Sequence, residues 1–86
     1  MKHAGPAALD QIEPMLALVR RVPGLTEKSR GTFYKGSKAF LHFHEDPSGM
    51  HADVRLTDDF VRYRVETEAE QTALLELLSR AATREG

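Results

Sequence analysis

The chain has 86 residues, a formal net charge of −1 from 12 Lys and Arg against 13 Asp and Glu, and no cysteine. That length fits a single domain over 1–86 near the lower limit of unassisted folding, so dimerisation is an expected route to further burial. The near-neutral balance excludes partners held by bulk charge, and the lack of cysteine excludes disulfides and thiolate metal sites and suits a reducing cytoplasm.

Residues 1–6 are expected to be disordered, because Gly5-Pro6 discourages earlier structure, and residues 1–8 lack the apolar core of a signal peptide. From Ala7 to Val22, Leu9, Ile12, Leu16 and Val19 recur at helical spacing, which predicts a helix. Pro14 either starts that helix near Glu13, with Asp10 as cap, or kinks it. Arg20 and Arg21 suit the C-terminal end of the helix dipole, and Pro23-Gly24 stops the helix. Leu25 to Arg30 reads as a polar connection.

Four strands follow. Thr32-Phe33-Tyr34 opens the first, and Lys35-Gly36-Ser37-Lys38 makes a tight turn into the second. The stretch Lys38–Leu56 is a hairpin: Leu41 and Phe43 alternate with His42 and His44, while Ala52, Val54 and Leu56 alternate with His51, Asp53 and Arg55. Its turn is Asp46-Pro47-Ser48-Gly49. Asp59 to Val65 forms the last strand. Thr67 and Glu70 have capping-box spacing and open a second helix to about Ala82, with Ala73, Leu74, Leu77, Leu78 and Ala81 as its apolar stripe. The runs Leu74-Leu75 and Leu77-Leu78 read as core, with Leu75 and Leu78 as the alternative candidates for a partner helix. The fold class is therefore α+β: a four-stranded antiparallel sheet flanked by N- and C-terminal helices on one face, in the order α-β-β-β-β-α.

Parity turns this order into two faces. Pairing 34 with 39, 43 with 52 and 54 with 61 places Tyr34, Leu41, Phe43, Ala52, Val54, Val61, Tyr63 and Val65 on the covered side. The open side then carries three rows: Phe33-Phe40-Arg55-Phe60, His42-Asp53-Arg62 and His44-His51-Arg64.

Val22-Pro23-Gly24-Leu25-Thr26-Glu27-Lys28, Gly31 through Phe40 and Ala52 through Leu56 together resemble the front half of the MmcQ/YjbR-like family, over about residues 16–56. That resemblance implies an α/β layer and suggests DNA binding. The family's later aromatic and basic segment with its tryptophan has no counterpart, since this chain has no tryptophan. Arg64-Val65-Glu66-Thr67-Glu68 running into Leu74-Leu75-Glu76-Leu77-Leu78 is similar to the ending of small bacterial luciferase-like domains. Neither resemblance carries over a catalytic residue.

Two chemistries fit the open face. In the first, Arg55, Arg62 and Arg64 pair an anionic ligand, a phosphate compound or nucleic acid; His42, His44 and His51 add hydrogen bonds, and Phe40 and Phe60 stack. This reading is a non-enzymatic, self-associating binding module that needs no cofactor. In the second, His42, His44, His51 and Asp53 ligate Zn²⁺ or Fe²⁺, as metal-binding protein or enzyme. The three arginines oppose a dication there, and Arg62 competes for Asp53. Ordinary cross-strand pairs on a solvated face are the plain alternative to both. The serines Ser29, Ser37, Ser48 and Ser79 lack a nucleophile's setting, and Gly31 and Gly36 precede no helix that would make a phosphate loop.

Overall fold

The structure is a computed structural model that describes residues 2–83, with the side chains of Lys2, His3 and Thr83 left aside. Its elements run β1 (Lys2–His3), α1 (Pro6–Gln11), α2 (Glu13–Val19), β2 (Leu25–Ser29), β3 (Thr32–Lys35), β4 (Lys38–Asp46), β5 (Gly49–Arg55), β6 (Phe60–Arg64) and α3 (Glu68–Thr83). The architecture is α+β with an antiparallel sheet and helices at both ends of the chain. Strands β2-β3-β4-β5-β6 form a meander, and β1 pairs with β4 off that path. The meander therefore has five strands where four were expected. No helix among the described residues is long and apolar enough to cross a membrane.

The additional strand is β2, which reads as polar because it is short and lies at the sheet edge, where only Leu25 and Glu27 are partly buried. A charge network holds it. Arg20 donates from Nε to Glu27 and from Nη1 to Glu13, each at 2.6 Å. Arg30 reaches Asp10 and Glu13 at 2.8 Å, and Glu27 also accepts the backbone N–H of Gly31 at 3.0 Å. The two guanidinium groups, Arg20 first and then Arg30, hold the Glu13 carboxyl down at about 2. Asp10 thus pairs with Arg30 and caps no helix. The N-terminal helical segment divides at Ile12, with Pro14 in the first turn of α2, a position where its missing N–H costs nothing.

Of the segment 1–6 expected to be disordered, residue 1 lies outside the described residues, and Lys2 and His3 join the sheet. Lys2 and His3 stand opposite Glu45 and His44, along the side of β4 that β3 leaves open beyond His42. The Ala4 N–H donates to Phe43 O at 3.1 Å, and the Gly5 N–H donates to Glu45 Oε2 at 2.6 Å.

One face of the sheet carries the core. Phe33, Leu41, Phe43, Ala52 and Val54 are buried against Leu9, Ile12, Met15, Leu16 and Val19 of the N-terminal helical segment and Leu74 and Leu78 of α3. The pairings 34↔39, 43↔52 and 54↔61 are all present. Between Phe33↔Leu41 and Tyr34↔Ala39, however, the register shifts by one residue, leaving Phe40 as an extra residue in β4. Such a bulge changes the parity of everything beyond it. Phe33 is consequently a core residue and Tyr34 lies on the opposite side, the reverse of the expected assignment. Phe40 is drawn into the core and is 4% exposed, so it is unavailable for stacking on the open face. Val61 lies on β6, at the sheet edge, and is 42% exposed although it has the covered parity.

Helix α3 begins as its capping box requires. Glu70 Oε1 accepts the N–H groups of Glu66 and Thr67 at 3.0 and 2.9 Å, and Thr67 Oγ1 accepts the Glu70 N–H at 3.1 Å. Its buried stripe is Leu74, Leu78 and Ala82, rotated from the expected one, with Ala73 exposed. Leu78 is fully buried and Leu75 packs partly buried against the core, as the core reading of this stripe expects and the partner-helix alternative does not.

The bulge can be tested by stability. Phe33→Ala should cost about 3–5 kcal/mol as a large-to-small core change. Tyr34→Ala should cost distinctly less in the same denaturant titration. Equal losses would contradict the parity described here.

Candidate metal centre

The open face is built by three adjacent strands. In β4 the alternation that buries Leu41 and Phe43 turns His42 and His44 the other way. In β5 the same alternation turns His51 and Asp53 outward from Ala52 and Val54. Register then sets the rows: Thr32↔His42↔Asp53↔Arg62, and His44↔His51↔Arg64. Both histidine rows are as parity predicts, and Thr32 is an addition that the off-by-one reading of β3 concealed. The row of Phe33 and Phe40 does not form, but Arg55↔Phe60 does, with the guanidinium carbon 4.7 Å from the ring centre.

The hairpin turn fixes this register. Asp46 faces Gly49, and the Asp46 carboxylate accepts the Ser48 N–H at 2.8 Å and the Ser48 hydroxyl at 2.5 Å. These contacts hold the Asp46 carboxyl below the usual range. Gly49 has φ +123°, and a Cβ there would stand 2.6 Å from Glu66, whose carboxylate accepts the Met50 N–H at 2.5 Å.

Within the rows, three ligand-capable side chains converge. His42 Nδ1 lies 2.6 Å from His44 Nε2, and His44 Nε2 lies 3.1 Å from Asp53 Oδ2. The ligand atoms of His42, His44 and Asp53 all lie within 4.8 Å of one another. His44 and Asp53 are buried, and His42 is half-buried against Phe60, with ring centres 4.7 Å apart. Arg62 grips Asp53 with a fork, Nε to Oδ1 and Nη2 to Oδ2, both at 2.7 Å. That hydrogen-bonded guanidinium is the main reason the Asp53 carboxyl is held below its ordinary value, against the opposing effect of burial. The carboxylate remains ionised, and its remaining lone pairs stay directed at His44.

A carboxylate oxygen and two imidazole nitrogens focused on one point need either a ring N–H donor or a cation between them. A proton on His44 Nε2, donated toward Asp53 Oδ2 and His42 Nδ1, meets that need in the metal-free protein. A divalent ion meets it equally. Donors about 2.1 Å from one ion stand about 3.0–3.4 Å apart. The His44–Asp53 spacing of 3.1 Å fits that, the two imidazole nitrogens at 2.6 Å would have to move apart, and the widest pair, within 4.8 Å, would have to close.

The other expected residues divide. His51 stands opposite His44, yet its Nδ1 is 3.9 Å from Asp46 Oδ1 and it is not among the converging ligands. Arg55 donates to Ala39 O at 2.9 Å and packs on Phe60. Arg64, with its side chain 58% exposed against 44% for Arg62, has Glu70 Oε1 3.7 Å from its Nε. Comparison with family models, with curated proteins and with solved structures gave no match.

The Arg62–Asp53 fork carries a pH prediction. Because the folded-state carboxyl pKa lies below the unfolded value, the fork stabilises the protein above that unfolded value and ceases to as pH falls through the folded one. Arg62→Gln should therefore move the acid-unfolding midpoint to higher pH and lower the stability at neutral pH. Acid-unfolding curves of the two proteins that superimpose would exclude this role for the pair.

Proposed function

We propose that this protein binds a divalent transition metal through His42, His44 and Asp53. The observation that carries the reading is the convergence of His42 Nδ1, His44 Nε2 and an Asp53 carboxylate oxygen, with all ligand atoms within 4.8 Å. Two imidazoles and one carboxylate suit Zn²⁺ and Fe²⁺ and leave further coordination positions for other ligands. The arginines that seemed to oppose a dication have other engagements. Arg62 is matched by Asp53, Arg55 donates to a backbone carbonyl, and Arg64 lies beside Glu70. Arg62 acts as an outer partner that orients the ligating carboxylate, a role such partners commonly have at metal sites. The chemistry available to the bound ion is Lewis acidity toward whatever fills its open positions.

This assignment supports the ligand set His42, His44 and Asp53, with His51 outside it. It also recasts the anionic-ligand reading. Phe40 is in the core and Arg62 is matched, so a cationic stacking platform is much reduced.

Native mass spectrometry of protein made without a histidine tag, after incubation with Zn²⁺, should show one ion per chain. His44→Ala should abolish that ion, and His51→Ala should retain it. A wild-type chain that takes up no zinc, or a His44→Ala chain that binds it undiminished, would refute the proposal.

A further inference from the structure

The charge balance of the centre goes further than its ligand set. Asp53 contributes the one negative charge among the three ligands, and Arg62 already matches that charge at 2.7 Å on both oxygens. The histidines are neutral when they ligate a metal. A bound dication would therefore keep both its positive charges, in a site where His44 and Asp53 are buried and screening is weak. No other carboxylate joins the cluster among the described residues. Glu70 is engaged at the helix cap and beside Arg64, and Asp46 is engaged by Ser48 in the turn.

The surroundings add a guanidinium donor and an apolar wall. Arg62 and Arg64 share the open-face parity on β6, with side chains 44% and 58% exposed, and the Arg64 guanidinium lies at the β6 edge beside Glu70 of α3. His51 lies between His44 and Arg64 in register. Phe60, 4.7 Å from His42 and covered by Arg55, walls the opposite end.

We propose that the open coordination positions take a small oxyanion, a carboxylate or a phosphate, which bridges the metal and the guanidinium of Arg64. This inference rests on the metal reading above. One oxygen of the anion ligates the ion and another accepts from Arg64, which turns away from Glu70 to donate. Planar guanidinium forks match both oxyanions, so the shared chemistry is fixed while the source of the anion is left to the experiment. Metal and anion bind interdependently: without the ion the cluster has no net charge to attract the anion, and with it the anion supplies the missing negative charge.

The test uses the full chain loaded with Co²⁺, whose visible spectrum reports its ligands. Inorganic phosphate and acetate are titrated separately into wild type and into Arg64→Gln, and Co²⁺ affinity is measured for both proteins. A saturable spectral change with either anion, weakened roughly tenfold in Arg64→Gln at equal Co²⁺ affinity, is the expected result. A response to phosphate alone assigns a phosphate-type ligand, and one to acetate alone a carboxylate. Stoichiometric Co²⁺ with a spectrum that neither anion changes would overturn this inference and leave the metal reading standing. An anion response that Arg64→Gln does not weaken would also overturn it. Failure of wild type to bind Co²⁺ would remove the metal reading, and this inference with it.

Discussion

The pairing of β4 with β5 is the constraint on which the other features depend. Six consecutive pairs from Leu41↔Val54 to Asp46↔Gly49 leave no freedom in which residues share a face. A slip by one residue would carry His42, His44 and Asp53 into the apolar layer and expel Leu41, Phe43 and Ala52 from it. The hydrophobic cost of that exchange fixes the polar cluster as firmly as any contact within the cluster. The turn contributes directly, since Gly49 holds a φ of +123° that residues with side chains rarely adopt.

Three helices and one sheet face supply almost all of the core, so the other face is left to polar chemistry. That arrangement buries His44 and Asp53 without apolar neighbours on every side. An ionised carboxylate at 7% exposure is costly unless paired, and the Arg62 fork is the pairing. The fork has two consequences. It keeps Asp53 ionised and oriented, which a ligand requires, and it cancels the charge that would otherwise compensate a bound cation. On the proposed metal reading, the same ion pair would orient a ligand for the ion and leave the ion's charge unmatched, which is the physical basis for the anionic third component proposed above.

The sequence made much of this legible. Alternation around Asp46-Pro47-Ser48-Gly49 was sufficient to place His42 opposite Asp53 and His44 opposite His51, and Thr67 with Glu70 marked the start of α3. Other features depend on contacts between distant parts of the chain. Strand β2 has no apolar alternation of its own and is held by β3 and by Arg20 on the preceding helical segment. The bulge at Phe40 follows from two adjacent residues, Phe40 and Leu41, both finding room in the core, and no local pattern distinguishes that outcome from strict alternation. His51 had the parity of a ligand. Its ring instead lies beside Asp46, whose position is set by the Ser48 contacts in the turn, and that geometry is invisible to strand periodicity.

The most direct measurement is nitrogen-15 NMR of the histidine rings during zinc titration, because it reports each ring nitrogen separately. The account predicts that His42 Nδ1 and His44 Nε2 move to metal-bound shifts at one equivalent, while both nitrogens of His51 stay near their metal-free positions. Coordination through His51, or four histidines that respond weakly and alike, would contradict the central claim that the β4–β5 register assembles a specific metal centre.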